Sequence, residues 1–483
     1  MTRAIMLQGT GSDVGKTVLV AGLCRLARNR GIKVKPFKPQ NMSNNAAVAD
    51  DGGEIGRAQW LQAFACRIAP SVHMNPVLLK PQSENGSQII VQGKVWGEAK
   101  GRDYQRLKPQ LMDAVMQSYA LLRKDADLII VEGAGSPAEI NLRTGDIANM
   151  GFATKADVPV VLVGDIDRGG VIASLVGTHA ILPEEDRRMI CGFLINKFRG
   201  DVSLFDDGIT AVTQHTGWPC FGVVPWLKAA SRLPPEDSVA LDYTLPSNTG
   251  RAKVAVLVLG RISNFDDFEP LRGESEIEVV MVKAGSAVPD DAALIIIPGT
   301  KSTIADLAAL RRNGWEQGIS AHHAQGRPIL GVCGGYQMLG REIADPDGME
   351  GAPSVVRGLG LLDVSTRMAP EKAVGNVEAY SEAFSSEIKG YEIHIGQTTG
   401  HDCSRPFSSI SSRSDGAVSA DGLVMGTYLH ALFGNDDFRA KFLEKLGMSA
   451  ADGSYWPDVD AALDEIAAEL EALGLASVLD AAR

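Results

Sequence analysis

The sequence predicts an α/β protein built from two fused domains, each a parallel sheet flanked by helices. Three observations predict it. Short apolar runs alternate with helix-patterned stretches in two separate series, as strands joined by crossover helices do. A stretch rich in Pro, Ser and Asp, SRLPPEDSVALDYTLPSNTG, separates the two series over residues 231–250. One apolar run in each series ends in a glycine-rich elbow that opens a helix: AIMLQGTGSDVGKT near the start and PILGVCGGYQ in the second half. A length of 483 residues agrees, because single cores stop growing beyond about 250–300 residues.

In chain order, the first series is AIML (4–7), VKPF (34–37), DLIIV (127–131), VPVVLV (158–163), CGFLI (191–195) and FGVV (221–224). The second is KVAVLVL (253–259), IEVVMV (277–282), ALIII (293–297) and PILGV (328–332), with GLGLLDV, KGYEIHIG and VMGTYLH as later strands of the same domain. Near the end, Leu463, Ile466, Ala467, Leu470 and Leu473 recur at helical spacing among Asp and Glu. They predict an amphipathic acidic helix packed on the second domain. The expected division is residues 1–230, a linker over 231–250, residues 251–440, and a helical tail over 441–483.

Bulk composition narrows the function. A net charge of −12 without a basic block argues against a nucleic-acid partner, since phosphate binding rewards clustered Lys and Arg. No apolar run approaches the ~18–20 residues of a membrane helix. The start, MTRAIMLQGT, runs straight into a strand and leaves no room for a signal peptide, so the expected location is the cytoplasm. None of the six cysteines forms a C-x-x-C pair, which argues against zinc or redox motifs. Five of them read as inert packing residues; Cys333 does not.

AIMLQGTGSDVGKTVLVAGL runs strand, glycine loop, helix. In such a loop, backbone N–H groups and the helix N-terminus cradle phosphates. Gly9, Gly11 and Gly15 let the chain curl close to the anion. Lys16 is placed for the β/γ-phosphates of ATP, and the Thr17 hydroxyl for Mg²⁺. Thr10 stands where the common pattern has its first glycine. Glu132 of VEGAG ends the strand DLIIV, where a phosphate-loop enzyme holds its Mg²⁺. Asp51 and Glu54 in DDGGEIGRAQ are further candidates for Mg²⁺ or substrate. The spacing G-T-x-x-x-V-G-K-T resembles the loop of dethiobiotin synthetase and its relatives. That resemblance implies a metal-binding role for Glu132. It also implies a role for Lys38 of FKPQNMSNN in stabilising a transferring phosphoryl group, and a role for Asn196 of INKFRGD in reading adenine.

PILGVCGGYQMLG carries the second site. The pattern Gly331-Val332-Cys333-Gly334-Gly335 is a nucleophile elbow, in which small neighbours permit a sharp turn. The turn sets the thiol at a helix N-terminus, which favours thiolate. The Gly334 N–H points to an oxyanion hole, and Gly299 or Thr300 of PGTKST is a candidate for its second donor. His430 of VMGTYLHALFG is the preferred base. His394 of GYEIHIG is its rival, with an alternative reading as a strand histidine that supports structure or the substrate entrance.

Both halves together resemble one family, the cobyric acid synthases of the cobalamin pathway, over nearly the whole chain. FKPQNMSNNA, EIGRAQ, VEGAGSPAEINL, VGDIDRGG, NKFRGD, PGTKST, GVCGGYQ, GYEIHIG and GTYLHALF all carry the resemblance. It implies a dethiobiotin-synthetase-like ligase domain fused to a class I glutamine amidotransferase domain. The implied reaction uses ATP, Mg²⁺ and glutamine to amidate the b, d, e and g carboxylates of adenosylcobyrinic acid a,c-diamide, a corrinoid substrate. Ordinary class I domains carry Glu two residues after the histidine. Here that position is Leu432, so the third triad member is expected elsewhere or not at all. Two alternatives stand beside this reading. The sister enzyme cobyrinic acid a,c-diamide synthase shares both domains, though NMSNNA and NKFRGD favour the cobyric acid branch. A partitioning-type switch ATPase would carry a lysine where this chain has Gly11.

Overall fold

A computed structural model describes residues 2–82, 86–235, 251–411, 413–450 and 453–483. In the first domain, six strands form one sheet: β1 (Arg3–Gly9), β2 (Val34–Phe37), β3 (Leu128–Glu132), β4 (Val160–Asp165), β5 (Ile190–Phe198) and β6 (Cys220–Pro225). Their order is β6-β5-β4-β1-β3-β2, with every neighbouring pair parallel. Side chains alternate between two cores. Met6, Ile129 and Val131 face one, and Ile5, Leu7 and Ile130 the other. The phosphate loop leaves β1 at the centre of this sheet and opens α1 (Lys16–Asn29).

Between β2 and β3 the chain makes an excursion that the apolar pattern did not predict. A four-stranded sheet forms from Gln40–Met42, Val77–Pro81, Gly86–Val91 and Lys94–Lys100. A separate hairpin pairs Ala46–Ala49 with Gly53–Gly56, and α2 (Arg57–Ala65) follows it. Ala46, Val48, Leu78 and Ile90 of this excursion pack against Tyr391 and Ile393 of the second domain.

The second domain is built on β7 (Ala252–Leu257), β8 (Ile277–Val282), β9 (Ala292–Ile297), β10 (Ile329–Val332), β11 (Ala417–Val418) and β12 (Val424–Thr427). The order is β8-β7-β9-β10-β12-β11, parallel except for the last pair. The predicted strand in KGYEIHIG exists as Ser386–His394, but it belongs to a separate antiparallel sheet. That sheet also takes Leu429–His430, which brings His430 beside Tyr391.

The expected linker is only partly described. Leu233 is buried as an extension of the first domain, and residues 236–250 lie outside the described residues. The tail corrects an expectation. Its helix α4 (Tyr455–Ala472) packs its apolar stripe on α1 of the first domain, while its first turn, at Tyr455 and Trp456, touches Asp436 and Gly434 of the second. Gly22 of α1 makes room for it: a Cβ there would stand 2.6 Å from both Ile466 and Leu470. Charge supplies the rest, since the buried Arg25 pairs with Asp460 and Asp464, and Arg30 with Glu471. Among the described residues no helix is long and apolar enough to cross a membrane.

Candidate active sites

The first site lies at the carboxyl ends of β1, β3 and β5. Gly9, Thr10, Gly11 and Gly15 form the loop after β1, and Thr10 N donates to Val163 O of β4 at 2.9 Å. Gly15 has φ 90°, a left-handed conformation suited to glycine. A Cβ there would also stand 2.3 Å from Nδ2 of Asn196. Asn196, at the end of β5, donates that Nδ2 to Val14 O at 2.8 Å and so braces the loop. Lys16 Nζ folds over its own loop, donating to Gly11 O at 3.2 Å and Gly135 O at 3.3 Å.

Glu132 is the hub. Its Oε1 accepts from the Thr17 hydroxyl at 2.8 Å and from Lys38 Nζ at 2.8 Å, and its Oε2 accepts from Gln62 Nε2 at 2.5 Å. Lys16, Thr17, Lys38 and Glu132 line one cavity of about 720 Å³, closed on one side by Glu269 and Arg272 of the second domain. The Thr17 hydroxyl and the Glu132 carboxylate are adjacent hard oxygen donors. They fit Mg²⁺, which takes one or two protein oxygens and completes its shell with phosphate and water.

Two metal candidates do not reach this cavity. Asp51 accepts from Ser71 Oγ at 2.6 Å and Val72 N at 3.0 Å, tying down the turn that follows. Glu54 is fully buried between Lys80, at 2.8 Å, and Lys372 of the second domain. Burial alone would raise its pKa, but the two ammonium groups hold it at about 2. With both oxygens paired to cations, Glu54 bridges the two domains in this structure.

The second site sits on the elbow after β10. Cys333 has φ 52° and ψ −111°, a strained turn that precedes α3 (Gly334–Leu339). The turn needs its glycines: a Cβ on Gly335 would lie 1.9 Å from Ile297 O. Gly299 of the PGTKST loop approaches His430, with its ideal Cβ 3.2 Å from the ring Cε1, and Gly334 packs against Thr300. The Cys333 sulfur lies near the His430 ring, and its thiol donates to Ile393 O at 3.6 Å. On its other side, His430 Nδ1 stands 2.6 Å from Asp267 Oδ2, while Asp267 Oδ1 accepts from Ala431 N at 2.7 Å. Burial would lower the His430 pKa, but Asp267 and the Cys333 sulfur raise it to about 10. The imidazole is thereby held as a cation facing the thiol.

Asp267 stands beside His430 in the place a third triad member would take, which Leu432 cannot fill. The signal for it in sequence is FDDF, an acidic doublet between two aromatics, which marks carboxylates drawn into a core. His394 lies on the strand Ser386–His394. It stacks on Tyr428 at 3.7 Å between ring centres, and burial pushes its pKa down to about 4, leaving it neutral. Burial also pushes the thiols of Cys24, Cys191, Cys220 and Cys403 up, which fits inert residues. Beside Cys333 a narrow cavity is lined by His394, Lys301, Lys372, Glu350 and, from the first domain, Lys80.

Comparison with known proteins fits both halves. Residues 5–239 match the CobQ/CobB/MinD/ParA nucleotide binding domain, and residues 253–438 the CobB/CobQ-like glutamine amidotransferase domain. The chain is 68% identical over 482 residues to a cobyric acid synthase of Allorhizobium ampelinum, covering 100% of this chain and 99% of that protein. The chain belongs to the cobyric acid synthase family. Cobyric acid synthases of Rhizobium rhizogenes and Rhizobium meliloti are 67% and 66% identical to it, each over 98% of this chain and over 98% and 97% of their own lengths. Membership makes the chain a glutamine-using ligase with a nucleotide-binding first domain, and it disfavours the switch ATPase and the sister diamide synthase.

Proposed function

We propose that the chain converts adenosylcobyrinic acid a,c-diamide to cobyric acid by amidating its b, d, e and g carboxylates. The observation that carries this reading is the pairing of two sites in one chain. One is the buried set of Cys333 and His430, with Asp267 on the far side of the imidazole; the other is the cavity of Lys16, Thr17, Lys38 and Glu132. A carboxylate is a poor acyl donor to ammonia until it is activated, because oxide or hydroxide would have to leave. In the first site, Lys16 and Lys38 neutralise the phosphates of ATP while the acceptor carboxylate takes the γ-phosphoryl group and ADP leaves. Thr17 and Glu132 would hold Mg²⁺, which supplies further neutralisation of phosphate charge. Asn196 stands beside the loop for the adenine end.

In the second site, Cys333 attacks the glutamine amide carbon. The oxyanion faces the N–H groups near Gly334 and Gly299, and His430 delivers a proton to the departing ammonia. Water then cleaves the thioester to release glutamate. Lys301, Lys372 and Glu350 offer charges that match the zwitterionic head of glutamine. The ammonia displaces phosphate from the acyl phosphate to give the amide.

The acceptor enters through an adjoining cavity of about 310 Å³ that shares Gln40, Met42, Ala134 and Gly135 with the ATP cavity. Lys108 lines it with a largely buried stem, ready for a carboxylate. Met42 and Leu142, about half exposed, give the rim an apolar surface for a macrocycle.

The test is the mass of the corrinoid after incubation with ATP, Mg²⁺, glutamine and the a,c-diamide. A ladder of products ending four amidations beyond the diamide is expected. An unchanged corrinoid, with ATP and glutamine still hydrolysed, would remove this substrate.

A further inference from the structure

Arg57 opens α2 in the first domain, yet its guanidinium is directed at the second. Its Nε stands 2.6 Å from Oδ2 of Asp266, and the two side chains are 6% and 3% exposed. The guanidinium lies over the rings of Trp60, at 4.5 Å, and Trp456 of α4, at 5.5 Å. Two elements of the first domain's side therefore fix it in place. Asp266 directly precedes Asp267, the residue that holds His430. Neither Asp266 Oδ1 nor Arg57 Nε makes a hydrogen bond among the described residues, so the two side chains meet as an ion pair.

Two adjacent buried carboxylates beside one imidazolium carry one negative charge too many. Like charges this close cannot both persist in a dry site without a second cation. Arg57 is that cation, and it comes from the other domain. The same excursion meets the triad at a second place. Ala46 O accepts from Asn264 Nδ2 at 2.7 Å and from the Tyr391 hydroxyl at 3.2 Å, and the Tyr391 ring stacks on His430 at 5.3 Å.

Building on the triad reading above, we propose that Arg57 is a positioning residue for the glutaminase: it neutralises Asp266, leaves Asp267 as the anion that orients His430, and so ties glutamine hydrolysis to docking of the ligase domain. The groups that face His430 are Cys333 from the elbow, Asp266 and Asp267 from the turn Phe265–Phe268, and Tyr391 and His394 from their strand. Tyr455 and Glu269 stand around the Arg57–Asp266 pair, with Arg272 near Glu269 and Arg439 near Tyr455. Arg57 is the cation in contact with Asp266.

The experiment compares Arg57→Gln, Arg57→Lys, Asp266→Asn and the double variant Arg57→Gln/Asp266→Asn in the full chain. Glutamine hydrolysis gives kcat and KM, and ammonium-driven amidation reports on the first domain because it bypasses His430. Arg57→Gln should lower the glutaminase kcat by about tenfold or more with little change in KM, as loss of an oriented general acid–base does. Ammonium-driven amidation should fall far less. Arg57→Lys should retain most of the kcat. Adding Asp266→Asn to Arg57→Gln should recover much of the loss, which mere loss of packing would not allow. Asp266→Asn alone decides the matter should Arg57→Gln fail to fold. It leaves Arg57 unopposed beside His430, so the alkaline limb of the glutaminase pH profile should move to lower pH. A wild-type kcat in Arg57→Gln, no recovery in the double variant, or an unmoved alkaline limb in Asp266→Asn would overturn the proposal. If Cys333→Ala instead keeps glutamine use, the triad reading itself falls, which is a separate result.

Discussion

His430 and Asp267 show how a site can be half legible at the level of residues. Cys333 was readable because an elbow needs small residues at fixed offsets, and the chain must write them consecutively. Its acid partner obeys no such local rule. Leu432, 2% exposed, occupies the expected place in the core, and the carboxylate arrives from 163 positions before His430 in the chain. Asp267→Asn should therefore lower the glutaminase kcat by about 100-fold or more, because an amide cannot stabilise the imidazolium and can select the wrong tautomer. Ammonium-driven amidation measures whether the chain is otherwise intact; equal loss of both activities would argue against a triad role. The raised pKa of His430 sets the pH behaviour. A group held at about 10 in the folded chain, against an ordinary 6.5, contributes stability that is complete below pH 6.5 and is lost as pH rises through about 10. In glutaminase activity against pH, the wild-type alkaline limb should accordingly fall near 10, and in Asp267→Asn it should move down towards neutrality. Cys333→Ala should abolish glutamine-dependent amidation and spare amidation driven by added ammonium. Retained glutamine activity would mean another nucleophile.

Elements were legible to the extent that their pattern was self-sufficient. Strands of the two parallel sheets are buried on both faces, so their continuous Val and Ile runs mark them wherever they pack. The excursion between β2 and β3 escaped because its apolar runs, VLL (77–79) and IIV (89–91), are only three residues long and its other strands give weaker signals. Gln40–Met42 is three residues long, and Lys94–Lys100 is largely exposed, so neither hydrophobic continuity nor clean alternation marks them. The helix α4 illustrates a different limit. Its apolar stripe states that one face is buried, but not which surface receives it. The receiving surface is α1, selected by Gly22 and by arginines that meet the acidic edge. Ile466→Ala should cost about 2–5 kcal/mol, the usual range for truncating a buried aliphatic side chain. Since α1 begins at Lys16, the loss should appear as weaker ATP-dependent amidation at raised temperature before glutamine hydrolysis suffers. Equal or earlier loss of glutaminase would place the functional effect of α4 on the second domain.

For the whole molecule, the decisive structure is the contact between domains, and it is made from segments whose sequence looked like ligase machinery. Ala46 of NMSNNA meets Asn264 and Tyr391, and Arg57 of EIGRAQ meets Asp266. Glu54 of the same run joins Lys80 of its own domain to Lys372 of the other. A carboxylate in a glycine-rich loop gives no local sign of whether it will meet a metal or an ammonium group from 318 residues away. The function of Glu54 became visible only when both domains were in place. Glu54→Gln would leave Lys80 and Lys372 as buried cations without their anion, a change that costs about 3–5 kcal/mol when a buried pair is broken. Lys372 would lose the attraction that offsets its burial, which already pulls its pKa down to about 8. The acid side then has a defined sign. Glu54 is held at about 2 against an ordinary 4.5, so its contribution is complete above pH 4.5 and is lost as pH falls through about 2. In urea denaturation, Glu54→Gln should lower the midpoint at pH 7 and narrow the gap to wild type as pH drops below 4.5. A variant as stable as wild type at pH 7, or a gap that does not narrow in acid, would show that the lysines find another anion and that the Lys80–Glu54–Lys372 cluster does not hold the domains together.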